Sequence, residues 1–512
     1  MPPEKPGTTR RTVIKGLAFG AAACAVGPTA AGAEPAPTRR LRRVGAEAAG
    51  IEPTAVLAFI EAVERSVGGL HGFMLLRHGQ VAAEGWWDPY APAYPHMLFS
   101  LSKSFTSTAV GLAVAEGRLT VDDPVLAFFP AEAPAERSEH LRAMRVRHLL
   151  SMSTGHEKDA TGSTVSAPDG DWARSFLALP VEREPGSLFV YNSAATYMLS
   201  AIVQRVTGQS VLAYLTPRLF APLGVAGATW ESCPRGVNTG GWGLSITTEA
   251  IARFGQLYLQ RGRWEGKQLV PESWIEEATA KHIANGTGDA SDWTQGYGYQ
   301  FWRCRHGGYR GDGAFGQYCV VMPAQDAVLA ITSGVADMQA VLNATWDHLL
   351  PAMRPGRVSD PRGASALKAR LASLSVAAPD GARTSATAAD VSGATYRFDA
   401  NEEKIEGVTL TFEDGRSRVT LRDARGDHAV EAPHGSWAKA TATDAPGEPP
   451  TRVAARGAWS GGDTYTLTVC FLETPFVETT RFAFAGDRLT MTRRTNVGFG
   501  PTERPTLVGY RA

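Results

Sequence analysis

The segment Phe99-Ser100-Leu101-Ser102-Lys103-Ser104-Phe105-Thr106-Ser107 constrains this chain more than any other. It opens an apolar, small-residue helix that continues through Thr108-Ala109-Val110-Gly111-Leu112-Ala113-Val114-Ala115. Residues three apart on a helix share a face, so the Ser100 hydroxyl and the Lys103 amine can meet. Burial in an apolar wall lowers an amine's pKa until it can act as a base, and the helix N-terminus favours an oxyanion beside the serine. Two other Ser-x-x-Lys matches occur, at Ser365/Lys368 and Ser436/Lys439. Only Ser100 follows a hairpin pattern, Phe73–Leu76 and Val81–Ala83 around Arg77-His78-Gly79-Gln80, and leads into a long helix of buried character.

At 512 residues the chain is too long for one ordinary domain. Its 44 % apolar and 20 % charged residues make it globular rather than disordered. A formal net charge of zero argues against nucleic acid or an anionic membrane as the main partner. Residues 1–33 read as a twin-arginine export signal: Thr9-Arg10-Arg11-Thr12, an apolar run from Gly16 to Val26, and Ala31-Gly32-Ala33 as a cleavage site. The run is too short for a stable membrane span. Lipidation at Cys24 is the alternative, although the usual leucine three residues earlier is missing. Cys233, Cys304, Cys319 and Cys470 lack Cys-x-x-Cys spacing, so no zinc site is expected. Export would permit disulfides among them, while their apolar surroundings favour free, buried thiols.

Residues 34–49 read as an arginine-rich solvated leader. A helix starting at Pro53 follows, then the hairpin and the Ser100 helix. The stretch from about 140 to 280 is mainly helical, and strands return at 299–302, 318–322 and 328–331 before a helix from Met338 to Leu350. Strands at both ends with helices between predict an α+β hydrolase domain over 50–354: one antiparallel sheet flanked by helices, a helical lobe inserted, and a cleft between. Residues 355–386 are Pro-, Gly-, Ser- and Ala-rich and read as a linker, with a short helix around Leu367 to Leu374. Beyond them the period becomes two, with a hairpin across Asp414-Gly415. An all-β sheet or small barrel over 387–512 is expected, serving as a stabilising or surface-binding accessory.

Three stretches complement Ser100 and Lys103. In Phe189-Val190-Tyr191-Asn192-Ser193, just before a helix, a phenol near a cationic lysine is expected to have a lowered pKa and to relay a proton. A simple turn with a helix cap fits the same residues. In Arg310-Gly311-Asp312-Gly313-Ala314-Phe315-Gly316-Gln317, bare backbone can approach a substrate and lend an N–H to an oxyanion hole, or form an ordinary hairpin turn. Leu149-Leu150-Ser151-Met152-Ser153-Thr154-Gly155-His156 reads as a loop lining the cleft.

Together, and with Gly241–Thr248, Arg263–Pro271 and Gly296–Trp302, these residues resemble the serine β-lactamase and penicillin-recognising hydrolase family. The likeness covers residues 50 to 350 and is closest to the class C-like branch with esterases and 6-aminohexanoate-dimer hydrolases. The resemblance implies Ser100 as the acylated nucleophile, Lys103 as its activator and Tyr191 as the proton relay. It implies the N–H groups of Ser100 and Ala314 as an oxyanion hole, with neither metal nor cofactor. Two departures stand out. Gly311-Asp312-Gly313 replaces the family's basic Lys-Thr-Gly or His-Thr-Gly, and Ser193 replaces the asparagine of Tyr-x-Asn. An aspartate there would repel a substrate carboxylate, which favours a neutral or cationic amide or ester. Trp86, Trp87, Trp293, Tyr297 and Trp302 are candidates for the pocket wall. A β-lactamase or D-alanyl-D-alanine peptidase is the alternative activity, and a catalytically silent wall- or partner-binding protein the alternative class. The oligomeric state is left open.

Overall fold

The computed structural model describes residues 41–442 and 451–512. The residues on which the export-signal, Cys24-lipidation and first leader expectations fall, 1–40, lie outside the described residues. Helix α1 (Pro53–Ser66) starts on a proline, whose fixed φ suits a first turn, and buries Val56, Phe59, Ile60 and Val63 along one face. Strands β1 (Leu70–Arg77) and β2 (Gln80–Trp86) then form the expected hairpin. His78 and Gly79 take φ of 52° and 69°, the left-handed pair of a two-residue turn that matches strand twist. Helix α2 (Ser102–Ala115) carries Lys103, helix α3 (Ser193–Thr207) follows Tyr191, and helix α4 (Thr248–Leu259) packs on the sheet. Strands β3 (Trp302–Arg303), β4 (Tyr309–Gly313), β5 (Gln317–Met322) and β6 (Ala327–Ser333) complete a six-stranded sheet of order β2-β1-β6-β5-β4-β3. All its pairings are antiparallel.

The central strands are buried on both faces, which explains their unbroken apolar runs. Alternate residues serve two cores. Met74, Leu76, Cys319, Val321, Val328 and Ala330 face α2, α4 and the helical lobe. Phe73, Leu75, Tyr318, Val320, Leu329 and Ile331 face α1 and the chain-terminal helices of the domain. These are α5 (Met338–Ala344), which runs on through a wider and then a tighter turn to Ala352, and α6 (Pro361–Ala372).

Two segments depart from expectation. The chain from 41 to 51 is built into the fold rather than solvated: Leu41, Ala46, Ala49 and Ile51 are buried, and Arg43 pairs with both Glu84 and Glu249. The stretch 355–386 is likewise more than a tether. α6, capped by Asp360, packs on α1 and inserts Leu367 into the core, while Leu374 follows it there. Ala382 then pairs with Trp459 of the last domain.

The C-terminal domain is a ten-stranded antiparallel sheet whose end regions, Gly426–Pro433 and Ala438–Ala442 with Thr451–Trp459, lie against one another as a near-barrel. Tyr396, Leu410, Val419, Leu467, Phe482 and Met491 fill its interior. Its hairpin at Asp414-Gly415 has the expected register, Glu413 opposite Arg416. Cys233, Cys304, Cys319 and Cys470 are all free and buried.

Candidate active site

Ser100 lies in a tight turn, Phe99–Leu101, that runs directly into α2. The turn is held from two sides. Leu98 N–H donates to Leu244 O at 2.9 Å, and Ser102 Oγ accepts from Leu244 N at 3.1 Å. Two of the hydroxyls that make α2 look polar reach neighbouring loops, Ser104 to Gln300 O (2.9 Å) and Thr106 to Gly240 O (2.9 Å), while Thr108 bonds Ser104 O within the helix and the Tyr258 hydroxyl. α2 is therefore buried nearly all round, and at Gly111 an added Cβ would sit 2.4 Å from the Trp274 ring.

Lys103 is 1 % exposed. Its Nζ stands 3.0 Å from Ser100 Oγ, 2.9 Å from Ser193 Oγ and 2.7 Å from Gly241 O. Burial lowers its pKa to about 7, against the opposing pull of Asp159 and Asp312. A neutral amine has two N–H bonds. With these given to Gly241 O and Ser193 Oγ, its lone pair is left for the Ser100 hydroxyl proton. The carbonyl of Gly241 is thus part of the site, a role the sequence pattern around Gly241-Trp242-Gly243 did not reveal.

Tyr191 closes the triangle. Its ring centroid is 4.9 Å from Lys103 Nζ, and its hydroxyl is near enough to Ser100 for that hydroxyl to favour the phenolate. Trp302 stacks on the ring at 5.4 Å, and Tyr297 meets it edge-on at 6.4 Å. The expected lowering of this phenol's pKa is reversed. Burial, reinforced by the Asp312 charge, drives it well above its ordinary value, and the nearby Ser100 hydroxyl only partly offsets this. Tyr191 is therefore a neutral phenol at rest, a proton donor rather than a waiting base. The cap reading of this segment holds as well, because Asn192 Oδ1 accepts from Ala194 N at 3.1 Å at the start of α3.

The loop at 149–156 braces this strand. Val190 N–H donates to Met152 O at 2.9 Å, and Gln300, buried and unflagged by sequence reasoning, ties the pieces together. Its Nε2 donates to Leu149 O and Leu150 O, and its Oε1 accepts from Thr196.

On the other side, β4 brings Asp312, Gly313 and Ala314 up to the Ser100 turn. A Cβ on Gly313 would lie 2.0 Å from Leu98 O, so only glycine permits this approach. Ala314 begins the turn to β5, its carbonyl held by Gln317 Nε2 at 3.1 Å. Asp312 is not the bare charge expected from the sequence. Arg310, two residues back and so on the same strand face, donates from Nε to Asp312 Oδ2 at 2.9 Å. The Trp302 indole also favours the charged carboxylate. Burial raises the carboxyl's pKa while Arg310 opposes it. Arg310 is 0 % exposed and is covered by the rings of Trp293 (4.5 Å) and Trp302 (5.6 Å). Of the aromatic candidates, Trp302, Tyr297 and Trp293 belong to this side. Trp87 is in the other core with its Nε1 on Glu64, and Trp86 packs over Gly72.

The two alternative Ser-x-x-Lys pairs lie on exposed surface. Among the described residues, no three His, Cys, Asp or Glu side chains are grouped to hold a metal ion.

With this geometry in place, the comparisons with known proteins are decisive. The Beta-lactamase family model matches residues 60–350, more than half the chain. The chain belongs to the Beta-lactamase family. Relatives include a 6-aminohexanoate-dimer hydrolase of Paenarthrobacter ureafaciens, 28 % identical over 52 % of this chain and 72 % of that protein. Another is penicillin-binding protein 4 of Amycolatopsis lactamdurans, 26 % identical over 46 % of this chain and 72 % of its own length. A putative D-alanyl-D-alanine carboxypeptidase of Escherichia coli K12 is also 26 % identical, but over only 32 % of its length. Among solved structures, a putative beta-lactamase from Bacteroides dorei shares the fold with a TM-score of 0.50 and 16 % identity, covering 59 % of this chain and 99 % of that one. As a family member the chain is a serine hydrolase acting on amide or ester bonds. The described residues include no helix long and apolar enough to cross a membrane.

Proposed function

We propose that this protein is an exported serine hydrolase that cleaves a neutral or cationic amide or ester through a Ser100 acyl-enzyme. Lys103, near neutrality in pKa, takes the Ser100 proton as Oγ attacks the carbonyl carbon. The backbone N–H groups of Ser100 and Ala314 receive the developing oxyanion. The Tyr191 phenol gives its proton to the departing nitrogen or oxygen and is reprotonated from Lys103. Water then attacks the ester, its proton passing to the same pair, and the acid leaves with Ser100 restored.

The observation that carries the reading is the convergence on Lys103 Nζ of Ser100 Oγ, Ser193 Oγ and Gly241 O, all within 3.0 Å, beneath the Tyr191 ring. The preference for substrates without a carboxylate rests on the two cations of the site. Lys103 is committed to its acceptors, and Arg310 is sealed beneath indoles and neutralised by Asp312. Neither presents a free positive charge to the cleft. The 6-aminohexanoate-dimer hydrolase relative supports amide cleavage as one activity.

The test is a panel of p-nitrophenyl esters, an ω-amino amide and a chromogenic cephalosporin, run with the wild type and Ser100→Ala. Turnover of esters or the amide well above the cephalosporin, lost in Ser100→Ala, is expected. Efficient turnover of the carboxylate-bearing β-lactam would favour a β-lactamase instead. Unchanged rates in Ser100→Ala would end the assignment.

A further inference from the structure

The all-β domain contacts residues that adjoin the active-site turns. Its loop 472–476 crosses the rim of the hydrolase domain, where Met97 N–H donates to Glu473 O at 2.8 Å. Asn496, at the end of another strand, donates from Nδ2 to Gly334 O (2.8 Å) and to Pro475 O (2.9 Å), tying both loops to the end of β6. At this seam a Cβ on Gly334 would lie 2.0 Å from Pro475 O, so the two surfaces meet backbone to backbone.

The anchored loops deliver two rings, Phe476 and Phe499, onto two rings of the hydrolase domain. Phe99 lies 6.4 Å from Phe476 and 5.7 Å from Phe499 between centroids. Phe315 lies 5.8 Å from Phe476, 4.8 Å from Phe499 and 5.5 Å from Phe99. The four rings form one cluster in edge-on and tilted contacts, geometry favoured by aromatic quadrupoles. Its place in the chain gives it meaning. Phe99 immediately precedes Ser100, and Phe315 immediately follows Ala314, so the cluster flanks both proposed oxyanion donors. Both phenylalanines hold left-handed φ, 47° and 65°, a conformation that costs a bulky residue energy and needs surrounding structure to maintain it.

Three of these rings are covered in part or whole, but Phe499 is 48 % exposed. Phe499 is thus the solvent-facing end of a cluster whose other end is Phe99, next to Ser100, and its open face is available to an apolar group entering beside that turn. We infer that the C-terminal domain completes the substrate cleft, and that Phe499, backed by Phe476, is a specificity-determining wall for an apolar alkyl or aryl group beside the scissile carbonyl. The domain's job is then selection of substrate rather than stabilisation alone. This inference rests on the serine hydrolase reading of the same site.

The experiment uses the full chain and compares kcat/KM for p-nitrophenyl octanoate and p-nitrophenyl acetate in the wild type, Phe499→Ala and Phe499→Leu. Acetate has no group long enough to reach the wall. The octanoate-to-acetate ratio is expected to fall at least tenfold in Phe499→Ala, mainly through KM, and to recover substantially in Phe499→Leu. A ratio that stays within twofold of wild type overturns the inference, whether both rates hold or both fall together as a purely structural role requires. Labelling by a small alkyl fluorophosphonate separates the two readings. If Ser100 is labelled while the ratio does not move, only the wall is refuted. If wild-type Ser100 takes no label, the hydrolase reading fails and the wall with it.

Discussion

Lowering the pH from 8 to 5 should suppress acylation about 100-fold if the proposed base is Lys103, whose burial has brought its pKa to about 7. The ordinary lysine value is about 10.4, so an unperturbed amine would be almost wholly protonated at neutral pH and unable to accept from Ser100. In the folded protein half the Lys103 population is neutral near pH 7. Each further unit of acidity removes roughly nine-tenths of what remains. The direction follows from the role: only the neutral amine accepts a proton, so activity is present above the folded pKa and lost as pH falls through it. His96 and His148, both lowered to about 4 by burial, titrate well below this window. The assay is kcat/KM for p-nitrophenyl acetate between pH 5 and 9.5 in buffers of constant ionic strength. A limb of unit slope with its midpoint near 7 is expected, and Lys103→Ala should remove it along with several powers of ten in rate. A midpoint above 9, or a flat profile, would refute the claim that burial creates the base.

Tyr191→Phe should slow amide hydrolysis by about 10²–10⁴, yet slow p-nitrophenyl esters far less, since p-nitrophenolate departs without a proton; the ratio of the two rates checks it. Asp312→Asn leaves the buried Arg310 guanidinium uncompensated and should cost about 3–5 kcal/mol in urea unfolding, whereas the double variant Arg310→Met/Asp312→Leu should recover most of that loss. Gly111→Ala drives a methyl group into Trp274 and should cost about 1–3 kcal/mol with little change in pH profile, a separation readable by thermal melts alongside the ester assay.

Much of this site was legible in the chain because it is local. Ser100 and Lys103 lie one helical turn apart, the His78-Gly79 and Asp414-Gly415 turns carry their own backbone chemistry, and alternating hydrophobicity announced the last domain. The Arg310–Asp312 pair was equally readable, since residues two apart on a strand share a face, but attention to Asp312 as a lone charge concealed it. Burial was not readable. A lysine beside a phenol suggests a lowered phenol pKa, and the opposite direction follows from desolvation that only the packed aromatic surroundings of Tyr191 impose. Long-range contacts were hidden for the same reason. Arg43 reads as part of a solvated basic leader until Glu84 and Glu249 are seen around it. Phe99, Phe315, Phe476 and Phe499 come from distant segments with nothing in sequence to join them.

The central claim is that one hydroxyl in this chain carries the acyl group. Peptide mapping by mass spectrometry after incubation with a fluorophosphonate tests it most directly. The account predicts a single adduct on the peptide containing Ser100, absent in Ser100→Ala and formed more slowly below pH 7 in step with Lys103. An adduct on any other residue, or undiminished labelling of Ser100→Ala, would contradict it.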